Sequence, residues 1–324
     1  MDGFRILETI NMCRFLPIGL LCILVLSVVF PVAAQPTVDR DFVLGEVKTL
    51  SSDAFQGRAS GTPGGIAARD HIVKVYKSIG IKPFSKFLQP FSFMGAKGKM
   101  VEGFNIVGYL PGQKKPESYI VVSAHYDHLG IRNGEIYNGA DDNASGVGAL
   151  LSTALYFRRH PPTHSIIFVA FDAEELGLKG SLAFVSHPPV ALGKIYLNVN
   201  FDMVSRNIHN ELYAAGTTPF PVLKKYLEAV AARSDVKLML GHDRPELGHD
   251  DWTTQSDQGA FFEAGIPFVY FGVEDHPDYH KPTDDFARIM PDFYIHAVET
   301  VIDAVSTLDE NLEQIHTVSS RGSR

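Results

Sequence analysis

From residue 35 onward, apolar positions keep two alternating rhythms, short continuous runs and stripes at helical spacing, the mark of a single α/β domain with a wide sheet. Runs at 104–110, 119–124, 165–171, 195–201, 236–240 and 266–271 read as strands buried in that sheet. Phe42, Val43, Val47 and Leu50 fall on one helical face, and residues 67–78 read as a second helix entered through the turn-rich segment 57–65. In residues 144–159, Val147, Leu150, Leu151, Ala154 and Leu155 form a helical stripe that Pro161 and Pro162 end. Residues 220–233, with Lys224, Lys225 and Glu228 toward water, and residues 292–308 supply two more helices. Residues 311–324 lack an apolar stripe and read as a flexible tail.

Residues 15–34 break this rhythm. They form a nearly uncharged run behind Arg14, and the apolar centre gives way to Pro31 and then Val32-Ala33-Ala34-Gln35, the small-residue layout of a signal peptide cut after Ala34. A run of this length can also just span a bilayer as an uncleaved anchor, the competing reading. Both cysteines, Cys13 and Cys22, lie in this leader, so residues 35–324 must be stabilised by packing and metal rather than disulfides. The 29 basic against 37 acidic residues, a net charge of −8, argue against a nucleic-acid groove, which needs a basic face. With 45% hydrophobic and 20% charged residues, the chain is neither disordered nor a multi-span membrane protein. The expectation is an exported domain, periplasmic or secreted, with no stable membrane association once the leader is cut.

The informative residues follow the strand-like runs, where open α/β sheets gather ligands. His125 closes one run, and Asp127 stands two residues on, a spacing that lets an acid fix the tautomer of a metal-binding histidine. Asp141 and Asp142 sit in Gly139-Ala140-Asp141-Asp142-Asn143-Ala144-Ser145-Gly146, an acidic turn opening a helix, where Asp also serves as an N-cap. Glu174 and Glu175 come directly after a strand. Neighbours on a regular strand point to opposite faces, so both can serve one cleft only if the chain has left the ladder there. Asp202 follows the run 195–201, and His280 lies in Tyr279-His280-Lys281-Pro282-Thr283-Asp284.

Taken together, this ordered series resembles the secreted di-zinc aminopeptidase family, the bacterial leucyl-type aminopeptidases with their glutamate carboxypeptidase and glutaminyl cyclase relatives. The His-x-Asp, the Gly-Ala-Asp-Asp-Asn-x-Ser-Gly turn, the Glu-Glu pair, Asn200-Phe201-Asp202-Met203, the Tyr279-His280 pair and the segment 57–64 carry the likeness, which spans residues 50–308. It implies a three-layer α/β/α fold around a mixed, mostly parallel sheet. It also implies two Zn2+ per chain, with His125 and Asp202 on one, Glu175 and His280 on the other, and Asp142 bridging. The residues alone do not choose between Asp141 and Asp142. By the same likeness the Asp142–Asn143 peptide is cis, Glu174 is the general base acting on a bridging water, and Tyr279 hydrogen-bonds the tetrahedral oxyanion. Asp127 and Asp284 become acceptors behind His125 and His280. Two positions depart from the pattern: Thr253, where some relatives carry the oxyanion tyrosine, and Gln258, where many have histidine.

The implied activity is hydrolysis of N-terminal peptide bonds, with peptides as the partners. A dipeptidase or carboxypeptidase on the same scaffold would need a cationic pocket for a carboxylate, and Arg206 and Arg244 are its candidates. Glutaminyl cyclase is disfavoured because both metal sites are complete. A binding protein that has lost its ligands is disfavoured by the presence of all five and the base. Trp252 either lines the substrate pocket or packs beneath the polar segment 241–251, which reads as a solvated rim loop.

Overall fold

The computed structural model describes Met1, residues 36–95 and residues 98–322, so the expected leader and its cleavage point lie outside the described residues. Residues 36–322 belong to one compact unit. The chain enters through α1 (Arg40–Leu50), capped by Asp39 accepting the N–H of Phe42 at 3.1 Å, and α2 (Pro63–Ile79), which closes on left-handed Gly80. Strands β1 (Leu88–Met94), β2 (Met100–Leu110) and β3 (Lys115–His125) follow, then a small hairpin of β4 (Gly130–Arg132) and β5 (Glu135–Tyr137). The remainder alternates: α3 (Gly146–Arg159), β6 (His164–Phe171), α4 (Lys179–Ser186), β7 (Ile195–Phe201), β8 (Glu211–Ala215), α5 (Lys224–Ala231), β9 (Lys237–Leu240), α6 (Gln258–Glu263), β10 (Phe268–Gly272), α7 (Pro291–Glu310) and α8 (Leu312–Gly322).

Eight strands form one mixed sheet in the order β1, β2, β6, β3, β7, β10, β8, β9. Its centre, β6 to β10, is parallel, while β1, β2 and β8 pair antiparallel to their inward neighbours. Because side chains alternate across a strand, β3 feeds two cores. Ile120, Val122 and Ala124 join the core under α1, α2, α3, α5 and α7, whereas Val121 packs with Phe171, Phe184 of α4 and Phe261 of α6. The result is the three-layer α/β/α arrangement.

From β3 the chain goes to β6 on one side and then crosses to β7 on the other. A crevice therefore opens at the carboxyl end of β3, the switch point where α/β sheets bind ligands. The expectation of a flexible tail at 311–324 needs correcting, because Leu312–Gly322 is a helix whose Leu312 and Ile315 are fully buried in the main core. His316 also stacks on Tyr196 of β7, 3.6 Å between centroids. One buried turn is too short to register as a stripe, yet it is enough to dock the segment. Ile315→Ala is expected to lower the stability of the whole domain by about 2–5 kcal/mol; an unchanged denaturant midpoint would restore the loose-tail reading.

Candidate metal centre

Apart from Asp142, which lies in the turn opening α3, the expected ligands and base follow the ends of parallel strands. His125 is the last residue of β3, Glu174 and Glu175 follow β6, Asp202 follows β7, and His280 lies on the loop after β10. The chain does leave the ladder before the glutamates: Ala173 has φ 60, a left-handed residue that turns both side chains into one crevice. Met203 (φ 55) and His280 (φ 55) are left-handed too, so three of the four strand ends turn sharply at the site. The Asp142–Asn143 peptide is cis.

Asp142 stands between two groups of donors. Its Oδ1 lies 3.5 Å from His125 Nε2, which is 3.3 Å from Asp202 Oδ1; its Oδ2 lies 3.1 Å from His280 Nε2, which is 3.4 Å from Glu175 Oε2. Ligand atoms around a tetrahedral zinc with bonds of about 2.0–2.1 Å are about 3.3 Å apart. The donor spacing therefore suits one such ion on each side of Asp142. Asp141 is the other kind of residue. Its Oδ1 accepts from Ser205 N at 2.8 Å and Ser205 Oγ at 2.7 Å, and its Oδ2 faces His276 Nε2 at 3.1 Å, so it braces the turn and points away from the crevice.

Both supporting acids hold backbone N–H groups, and Asp127 also stays beside His125 as expected. Asp127 accepts the backbone N–H groups of Glu174 (3.0 Å) and Glu175 (3.3 Å), while His125 Nδ1 finds its main-chain oxygen at 3.1 Å and its carboxylate only at 3.7 Å. Asp284 does not stand behind His280. Its carboxylate accepts the N–H groups of Asp141 and Asp142 at 3.0–3.1 Å, fixing the turn that aims Asp142. Gln258 takes up the missing histidine's place by accepting from Asn200 at 3.1 Å and donating to the Trp252 carbonyl at 2.6 Å.

Two residues that the sequence did not single out complete the arrangement. Arg58 is fully buried and donates to four main-chain carbonyls, those of Leu50, Tyr126, Asn138 and Gly139, at 2.6–2.9 Å. Burial pulls its pKa down to about 10, against the pull of Asp142, Asp284, Asp127 and Glu175. It approaches through Gly57, where φ is 67 and a Cβ would run into the carbonyl oxygens of Tyr137 and Gly130. His128, also buried, places Nδ1 2.7 Å from Glu175 Oε1. Burial pushes its pKa down to about 3. Its place in His125-Tyr126-Asp127-His128 was the one available signal, and only the tertiary fold gives that signal meaning.

Removing these carboxylates from water leaves them short of positive charge. Burial holds Glu174 well above the usual carboxylate range, with Asp202 and Asp257 adding to the shift and His125 opposing it. Burial likewise raises Asp142, with Glu175 adding to it, and lifts Glu175 to about 7. His125 and His280 rise despite burial, the first through Asp202 and Glu174, the second through Asp142 and Glu175. The cluster keeps protons that a cation would displace. This chemistry, three carboxylates and two imidazoles around a charge deficit, fits zinc.

The surrounding cleft encloses about 360 Å³. Leu178, Met203, Trp252, Tyr270 and Val273 form its apolar wall, with Tyr279 stacked on His280 at 3.9 Å and Asp275 at the rim. Trp252 thus lines the pocket, and His242 of the rim loop stacks flat on it at 3.7 Å. Among the described residues lining the cleft there is no lysine or arginine. Arg206 is tied to Asp278 at 2.7 Å instead.

The pattern that defines peptidase family M28 matches residues 105–305. Leupeptin-inactivating enzyme 1 of Streptomyces exfoliatus is 31% identical over 77% of this chain and 53% of its own length. An aminopeptidase of Bacillus subtilis is 31% identical over 62% of this chain and 44% of its own. The chain spans about half the length of these curated relatives. Among solved structures, a zinc aminopeptidase from Bacillus subtilis superposes with a TM-score of 0.69 at 19% identity, covering 84% of this chain and 95% of that one. A glutaminyl cyclase from Bacteroides thetaiotaomicron does so with a TM-score of 0.68 at 20% identity, covering 84% and 99%. At these identities the two likenesses speak for the fold.

Two outcomes follow from this geometry. Arg58→Met leaves four buried carbonyls without their donor, each worth about 1–3 kcal/mol, and is expected to unfold the domain or lower its melting temperature sharply; a melting curve like that of the unaltered protein would refute the clamp. The second concerns pH in the metal-free protein. Glu175, raised from 4.5 to about 7, holds a proton that the unfolded chain loses above about pH 4.5, and the raised histidines add to this, so their stabilisation fades as pH rises through 7. Chelator-treated protein should therefore melt at a lower temperature at pH 8 than at pH 5.5, and zinc should flatten or reverse that slope; a metal-free melting temperature that rises with pH would contradict the assignment.

Proposed function

The chain belongs to peptidase family M28, and on that premise we propose that it is an exported zinc exopeptidase that removes N-terminal residues from peptides through a two-zinc centre. The observation that carries this reading is the split of donors about Asp142, with His125 and Asp202 on one side and Glu175 and His280 on the other. Each side has three protein donors counting the shared aspartate, which leaves the open position a catalytic zinc needs. Zinc held there supplies Lewis-acid activation of water and of the scissile carbonyl.

The chain's own groups do the rest. Glu174, with Oε2 4.0 Å from His125 Nε2, takes the proton of the attacking water and returns it to the leaving amine. Asp127 holds it in place by accepting its backbone N–H. The Tyr279 phenol is kept protonated by burial and by the charges of Asp142 and Asp202, and it donates a hydrogen bond to the developing oxyanion. A cleft rich in carboxylates and free of lysine and arginine suits a substrate's α-ammonium better than a carboxylate, which supports aminopeptidase over carboxypeptidase action. The leader at residues 15–34 supports export.

The test is a panel of amino-acyl anilides and N-acetylated peptides offered to the zinc-loaded protein. Anilides should be cut and blocked N-termini spared. Glu174→Gln is expected to retain zinc while losing at least 10²-fold in kcat, the usual share of a general base. Equal cleavage of blocked and free N-termini would remove the aminopeptidase reading, and an undiminished Glu174→Gln would remove the base.

A further inference from the structure

Glu175 presents its two carboxylate oxygens to two different histidines. Oε2 faces His280 Nε2 at 3.4 Å, in the group around Asp142 Oδ2, whereas Oε1 lies 2.7 Å from His128 Nδ1. The second distance is that of a strong charge-assisted hydrogen bond, in which the ring N–H donates and the carboxylate accepts. The His128 side chain is wholly buried, and its Nε2 has no hydrogen-bond partner among the described residues. An imidazole that donates from Nδ1 carries no proton at Nε2, so an Nε2 with no acceptor beside it fits that tautomer, in which no N–H is stranded.

Packing keeps the ring where it is. Gly139, left-handed at φ 57, lies directly against it, and a Cβ there would overlap the imidazole. The His280 ring is 5.9 Å away, tilted by 56°. His128 Nδ1 is also 3.7 Å from Asp142 Oδ2, beyond hydrogen-bond reach, so its bond to Glu175 is the short one.

We propose that His128 is a positioning residue that fixes Glu175 as a one-oxygen ligand of the second zinc. This rests on the two-zinc reading above. With Oε1 held by His128, Glu175 turns only Oε2 toward the metal. Without that bond the carboxylate is free to rotate, either chelating through both oxygens and filling the open position or drifting off the site. Partners of this kind, behind the ligands themselves, typically hold 10- to 100-fold of metal affinity.

The experiment is a Zn2+ titration of the full, chelator-stripped chain against a chromogenic chelator, for the unaltered protein and for His128→Ala, His128→Asn and His128→Gln. The asparagine amide reaches about where Nδ1 sits, and the glutamine amide reaches toward Nε2. The unaltered protein should take two ions. His128→Ala should keep the first and bind the second about 10- to 100-fold more weakly; Asn should recover most of the loss and Gln little of it. Equal second-site affinity in all four proteins, equal weakening of both sites, or Asn no better than Gln would overturn the proposal, the last outcome being the one expected if His128 merely fills space or itself binds the metal. Should His128→Ala fail to fold, the contrast between Asn and Gln still decides. An unaltered protein that takes fewer than two ions would instead fell the two-zinc reading.

Discussion

The guanidinium of Arg58 is the contact on which the rest of the site depends. It sits beneath the acids without pairing to any of them, and its donors go to main-chain carbonyls from the end of α1, the loop after β3 and the loop before the Asp142 turn. One cation therefore does two things. It fixes the relative position of the segments that carry His125 and Asp142, and it places a fixed positive charge where Asp142, Asp284, Asp127 and Glu175 all feel it. A carboxylate partner would have neutralised that charge. Carbonyls satisfy the donors and leave the field available to the acids.

Above this clamp the site is built from acids that hold backbone. Asp127 and Asp284 spend their oxygens on N–H groups of the residues that carry Glu174, Glu175 and Asp142. A hydrogen bond to the main chain aims a side chain by fixing where its Cα sits, and it leaves the side-chain donor atoms free for a ligand. Charge within the crevice is thereby concentrated in the groups that face it.

How much of this was legible in the sequence varied with the kind of partner each residue has. Strands β2, β3, β6, β7 and β10 stood out because both of their faces are buried, which yields continuous apolar runs. Strand β1, an edge strand containing Pro90 with only Phe93 buried, gave no such run, and neither did β8, where half-exposed Glu211 and Tyr213 alternate with buried Leu212 and Ala214. The candidate metal ligands were readable because most follow a strand, Asp142 lies in an acidic turn opening a helix, and the whole ordered series resembles a known family. Arg58 was not, because main-chain carbonyls leave no trace in a sequence: any residues at 50, 126, 138 and 139 would offer the same oxygens. The role given to Asp284 failed for a similar reason, since its carboxylate holds the N–H groups of Asp141 and Asp142 rather than an imidazole. The choice of Asp142 over Asp141 was likewise out of reach of residue chemistry alone; Ser205, far along the chain, is what claims Asp141.

The order in which the donors occur along the chain has a consequence for biosynthesis. His125, Asp142, Glu175 and Asp202 are made first, but His280 arrives only after β10, and β10 must pair with β7 before its loop can reach Asp142. A chain cut short before that loop carries all three donors of the first half-site, His125, Asp142 and Asp202, but only Asp142 and Glu175 of the second. Such non-local assembly is slow, because the entropy of closing long loops is lost before the contacts form. The half of the crevice that holds Glu175 and His280 is therefore the last part of the cluster to be completed.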